Sequence, residues 1–242
     1  VAQRPAPIVA DRGVVLRAKV EVPPDWETQE VEFRVDVAPD GGSVYFQYST
    51  TSEITDSSDP LDVSSGLVIG LPASVVRPEA RYVASLRRAD QARPSARTGV
   101  VDLSPEVTGP INIHVVPFEV NGRTPDTSTD IIQGFADAVY AYYPTTEVEI
   151  TVGSVQPNPY PDVPADEALG DALFDVGVLM EQTDMAPPDV YYYGLMQPAE
   201  TRDDYDGLTG TSQELDHRAG FAMGAGFGDE LSESTLVHEL GH

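Results

Sequence analysis

The chain has 242 residues, 40% of them hydrophobic, which is enough for one large domain or two ordinary ones with real cores. Its 40 acidic residues against 14 basic ones leave a formal charge of −26, which repels phosphate backbones and excludes nucleic acid as an expected partner. With no cysteine, disulfides and thiolate-bound structural zinc are excluded, and no apolar run approaches the roughly 18 residues that a membrane span needs.

Residues 1–104 read as an antiparallel β domain. VVLRAKVEV (Val14 to Val22) and VEFRVDV (Val31 to Val37) alternate apolar and polar residues, the period of a half-buried strand. Pro23-Pro24-Asp25-Trp26 separates them, with Trp26 as an anchor in the turn or the core. Asp40-Gly41-Gly42 is a hairpin signal leading into SVYFQYS, where Val44, Phe46 and Tyr48 are expected on one face. Further strands are expected at Leu67 to Leu71, Arg81 to Arg88 and Thr98 to Leu103. Six or seven short strands between turn residues predict an all-β, Ig-like sandwich, the alternative being a β extension of a larger fold.

Residues 105–110 read as a linker, rich in proline and glycine. In residues 111–242 the texture changes. INIHVVPF (Ile111 to Phe118) is a near-continuous apolar run, the kind buried on both faces of a parallel sheet. Cap residues in Pro125 to Asp130 precede an amphipathic helix to Tyr143, with Ile131, Phe135, Val139 and Tyr142 at helical spacing. A strand is expected from Val148 to Val155. A second helix follows from Asp166 to Thr183, carrying Leu169, Leu173, Val176 and Met180, and then a strand from Asp189 to Met196. This β-α-β-α-β order predicts a mostly parallel sheet with right-handed crossovers. Gln197 to Arg218 reads as a long surface loop, Ala219 to Phe227 as a further strand, and a last helix starts after Gly228, with Asp229 or Ser232 as its N-cap.

That helix ends in His238-Glu239-Leu240-Gly241-His242, an H-E-x-x-H arrangement that holds half of the chain's 4 histidines. Positions i and i+4 share a helix face, so His238 and His242 can reach one metal ion. Neutral imidazoles suit Zn2+, and zinc with an open position lowers the pKa of its bound water to near 7. Glu239, beside that water, is placed as the general base that takes its proton and returns it to a leaving amine. A catalytic zinc takes three protein ligands and a water, so a third ligand is expected beyond residue 242, and the catalytic domain is read as incomplete at its C-terminus.

HELGH, with glycine in its fourth position, is similar to the motif of the metzincin zinc metalloproteases. An Ig-like domain followed by INIHVVPF, PDT, YPTTEVEIT, PPDVYYYGLM and TLVHELGH resembles secreted bacterial metalloproteases related to the mucin-cleaving zinc proteases of enteric pathogens. The resemblance implies an α/β zincin (metzincin-like) catalytic domain of which the N-terminal part is present. It implies His238 and His242 as zinc ligands, Glu239 as general base, and Gly241 as the glycine before the second ligand. The implied protein is a secreted or cell-surface bacterial metalloendopeptidase, its signal peptide not present in this chain. It also implies a protein or glycoprotein substrate bound as an added strand along an edge strand above the active helix, for which Ala219 to Phe227 is the candidate. Two other readings stay open: a non-catalytic extracellular binding or adhesion protein with an incomplete protease-like domain, and a gluzincin-type aminopeptidase with a downstream glutamate ligand.

The remaining candidates read as structural. The acidity is a solvated surface, and neither Asp56 to Asp59 nor Asp203 to Asp206 has the spacing of a calcium loop. His114 is a strand histidine and His217 lies in an acidic loop. Tyr191-Tyr192-Tyr193 alternates core and surface, with one hydroxyl available to line a cleft.

Overall fold

The structure, a computed structural model, describes residues 8–59, 62, 65–88, 90–157, 173, 175–178, 189–207, 209–215 and 218–241. The chain divides into two compact units, Val1–Thr108 and Gly109–His242, with the division inside the 105–110 stretch.

The first unit is all β among its described strands: β1 (Val14–Ala18), β2 (Gln29–Ala38), β3 (Phe46–Ile54), β4 (Leu67–Leu71), β5 (Arg81–Arg88), β6 (Ala96–Arg97) and β7 (Val101–Asp102). β1 and β4 form one antiparallel pair, and β3-β2-β5-β6 form a second antiparallel sheet in which β7 also pairs with β5. The period-2 pattern sets which side of β2 is buried. Val31, Phe33, Val35 and Val37 point inward and meet Leu67, Ile69 and Leu71 of β4 in one core, while Glu32, Arg34 and Asp36 face out. Trp26 packs on this core, its indole Nε1 donating to the Ile54 carbonyl at 2.9 Å.

Three expectations shift here. The first strand stops at Ala18, because the Val20 and Val22 amides are taken by the Ser58 and Ser57 hydroxyls, each at 3.0 Å, and not by a neighbouring strand. The third strand begins at Phe46, with Val44 71% exposed, and runs on through the polar Ser-Thr-Thr-Ser to Ile54 because β2 pairs with it along that whole length. Residues 98–100 interrupt the last expected strand, leaving β6 and β7 as separate short pieces on β5.

The second unit contains β8 (Ile111–Glu119), α1 (Thr129–Tyr142), β9 (Val148–Val152), β10 (Gln156–Pro157), β11 (Val190–Met196), β12 (Gly210–Leu215), β13 (Arg218–Ala225) and α2 (Glu230–Leu240). In its sheet β8, β11 and β13 run parallel, β9 and β10 pair in parallel with successive parts of β8, and β12 lies antiparallel to β13 at the far edge. β8 is largely apolar because both of its faces are covered. Ile113 and Val115 join Tyr193, Leu195 and Ala222 under Phe135 and Val139 of α1 and Leu236 of α2. Val116 and Phe118 join Tyr192, Met196, Phe221 and Met223 on the opposite side, against Val176.

Of the helix expected over Asp166 to Thr183, residues 173 and 175–178 are helical, while Leu169 and Met180 lie outside the described residues. In α1 the aromatic partner of the buried stripe is Tyr143, not Tyr142. Tyr142 is 76% exposed, and Tyr143, four positions after Val139, sends its hydroxyl to the Val237 carbonyl of α2 at 2.8 Å.

Candidate active site

The site is built on α2. Gly228, with φ of +69°, turns the chain sharply into the helix, and the Asp229 carboxylate caps it by accepting from the Ser232 amide at 2.9 Å. Ser232 is buried: its hydroxyl donates to Asp229 Oδ1 at 2.6 Å and accepts from the Phe227 amide at 2.9 Å. Arg202, from the segment before β12, closes the cap. It donates to both Asp229 oxygens, at 2.5 and 2.7 Å, reaches the Ser232 hydroxyl at 3.0 Å, and lies over the Phe227 ring. The Arg202 hydrogen bonds, against the opposing effect of burial and with help from Ser232, hold the Asp229 carboxyl well below the usual carboxylate range.

Along α2, Ser232, Thr235, Leu236 and Glu239 follow one another at helical spacing and form its buried face. Glu239 is therefore a carboxylate at 9% exposure near the end of a buried stripe, and His238, the preceding residue, is exposed. Gly241 caps the helix, its amide donating to the His238 carbonyl at 3.0 Å; a Cβ there would lie 3.2 Å from the Tyr143 hydroxyl. His242 and His217 lie outside the described residues, and among the described residues no group of three or more His, Cys, Asp or Glu side chains could hold a metal ion.

Glu239 lies under β12, the strand that sequence reasoning placed inside a surface loop. Gly210 begins β12, and a Cβ built there would sit 2.6 Å from Glu239 Oε1 and 2.6 Å from the Thr235 methyl, so only glycine lets the strand pass this close. Gly210 pairs with Gly224 of β13, whose absent Cβ leaves space taken by the Tyr193 hydroxyl.

This corrects the choice of edge strand. Ala219 to Phe227 falls largely on β13, which from Phe221 to Ala225 is paired with β11 on one side, with β12 along the other, and offers no backbone edge there. The edge beside α2 is β12. The period-2 signal missed it because Gly-Thr-Ser-Gln-Glu carries no apolar alternation; the only hint was that polar residues suit a strand exposed along one side.

The other candidates take structural places. His114 sits on the sheet face away from α2, with Nδ1 2.8 Å from Thr151 Oγ1 and its ring 5.1 Å from Tyr192; burial lowers its pKa. Of the three tyrosines, Tyr192 and Tyr193 are both buried, on opposite faces, and Tyr193 is the one that points under α2. Two surface grooves of about 220 and 340 Å³ lie on the outer face of the first unit's larger sheet, lined by Arg34, Asp36 and Arg97 among others. The first is spanned by the ion pairs Arg34–Asp36 and Arg87–Glu32, an arrangement more polar than a typical ligand site.

No family model and no curated protein matches the sequence. Among solved structures, one described as a chaperone-substrate complex matches 73% of this chain at 18% identity and a TM-score of 0.34, the match spanning 30% of that structure's chain. A likeness at that level carries no argument about fold or activity. No helix among the described residues is long and apolar enough to cross a membrane.

Proposed function

We propose that this chain is part of a secreted or cell-surface zinc-dependent metalloendopeptidase, combining an Ig-like sandwich with the N-terminal part of a metzincin-like catalytic domain. One observation carries the reading. A glutamate within H-E-x-x-H, next to an exposed histidine, is held on the buried stripe of a firmly capped helix, directly beneath the edge strand of a mixed sheet.

In this reading His238 and His242 hold the zinc, with a third ligand from beyond His242; the imidazole of His238 is exposed and chemically suited to the ion. When bound, zinc would supply a more acidic water and a positive charge next to the substrate carbonyl oxygen. The chain supplies the rest. Glu239 takes the proton of the attacking water on its carboxylate, and it gives that proton to the amine nitrogen as the C–N bond breaks. The backbone edge that β12 leaves unpaired among the described residues pairs with an extended peptide, holding the scissile bond over α2. Gly210 keeps that strand close to Glu239, and burial shields the carboxylate from bulk water.

The test uses the chain continued through the codons after His242. Glu239→Gln is expected to lower peptide hydrolysis by at least about 100-fold with zinc still bound. Undiminished turnover would overturn the assignment, and a continuation that provides no third ligand leaves the binding-module reading in its place.

A further inference from the structure

The recess between α2 and the β12–β13 ladder holds a second polar group besides the Glu239 carboxylate. Gly210 and Gly224 face each other across that ladder, and the space left by their missing side chains is filled from two directions. From β11, Tyr193 brings its hydroxyl to 1.8 Å from where a Gly224 Cβ would be; from α2, Glu239 brings Oε1 to 2.6 Å from where a Gly210 Cβ would be. The Thr235 methyl borders both positions, at 3.3 and 2.6 Å. Tyr193 is 0% exposed, and its hydroxyl has no hydrogen-bond partner among the described residues. A buried hydroxyl in that state is costly unless it is partnered, and the nearby carboxylate is an acceptor that one bridging water can connect to it.

We propose that Tyr193 is a positioning residue for Glu239: its hydroxyl donates to a bound water that in turn donates to the Glu239 carboxylate and holds it beneath β12. The pairing stands on the geometry of the recess, while its catalytic meaning rests on the reading of Glu239 as general base. Burial, reinforced by the Glu239 charge, pushes the Tyr193 pKa far above the ordinary phenol range, so the hydroxyl keeps its proton at every working pH. The glycine pair follows from this arrangement, since a side chain at Gly210 or Gly224 displaces one of the two partners. One water fits the same scheme, because buried waters settle where two or more polar groups converge.

A double-mutant cycle on the 242-residue chain, read by denaturant unfolding without metal, tests the pairing. Tyr193→Phe is expected to lower the folding equilibrium constant about 10-fold beside Glu239 and to leave it unchanged or raise it in a Glu239→Ala background. Equal effects in both backgrounds overturn the pairing. In the zinc-loaded enzyme continued past His242, Tyr193→Phe is expected to reduce kcat about 10-fold with KM unchanged; an unchanged kcat overturns the positioning role. Full turnover of Glu239→Gln instead sinks the general-base reading, while the unfolding cycle still decides whether Tyr193 and Glu239 are paired.

Discussion

The two units bury different materials. Among the described residues, the buried side chains of the first unit are apolar, whereas every buried polar or charged one, Thr145, Ser232, Thr235 and Glu239, belongs to the second, and three of these four are on α2. Polar burial costs free energy unless each group is partnered, and on α2 the Ser232 and Thr235 hydroxyls are partnered, by Asp229 and the Phe227 amide and by the Leu231 carbonyl. The glycines differ in the same way. In the first unit Gly41 and Gly66 adopt φ of +63° and +111° at turns, and Gly70 in β4 has open space around it. In the second unit the strand glycines Gly194, Gly210 and Gly224 are where side chains from neighbouring elements press against backbone.

The sharpest way to break that comparison is to add one methyl group to each kind of glycine. Gly224→Ala sets a Cβ 1.8 Å from the Tyr193 hydroxyl, at the end of a rigid ring enclosed in the core. It is expected to cost more than about 3 kcal/mol in chemical denaturation, above the usual range for overpacking, and to recover in part when combined with Tyr193→Phe. Gly70→Ala, with nothing within 4 Å, is expected to stay within about 0.5 kcal/mol. Equal losses at the two positions would erase the distinction between packed and free glycines.

A smaller effect is expected at the helix cap. Asp229→Ala removes the α2 N-cap and the Arg202 pair, and is expected to cost about 1–2 kcal/mol at neutral pH. Because the folded-state pKa of Asp229 is depressed, its contribution is complete above the ordinary value of 3.8 and is lost as pH falls through the folded value. Unfolding measured from pH 6 downward should therefore show a steeper acid loss for the parent than for the variant. Parallel curves would show that the cap is not linked to α2 stability.

The smallest effect belongs to the first unit's solvated face. Arg81 and Asp102 are ion-paired at 2.9 Å with 51% and 68% of their side chains exposed, and Arg81→Ala is expected to change stability by less than about 1 kcal/mol, less still in high salt. A larger loss would mean that this surface contributes more than its exposure implies.

Much of the fold is legible wherever a local period reports burial. The alternation in VEFRVDV specifies the inward face of β2, the near-continuous apolar run of INIHVVPF reflects a strand covered on both sides, and Gly228-Asp229 marks the start of α2. The spacing that singles out His238 and Glu239 is equally local, since both sit on one helical turn. Harder to read are features that depend on a neighbour. β3 continues through polar residues because β2 pairs with it, and Tyr143 displaces Tyr142 because α2 offers a carbonyl on that side.

By itself, then, the sequence determined which segments are strands and helices with a regular burial pattern, and which helix carries a histidine and a glutamate side by side. The tertiary structure alone decided that β12 and not the Ala219 to Phe227 segment is the edge, and that Tyr193 shares a recess with Glu239. The reason is physical. Periodicity records whether a residue faces a core, but the order of strands in a sheet is set by long-range backbone pairing, and a polar, glycine-led strand such as β12 acquires its place only from β13, with which it pairs, and from α2 beneath it.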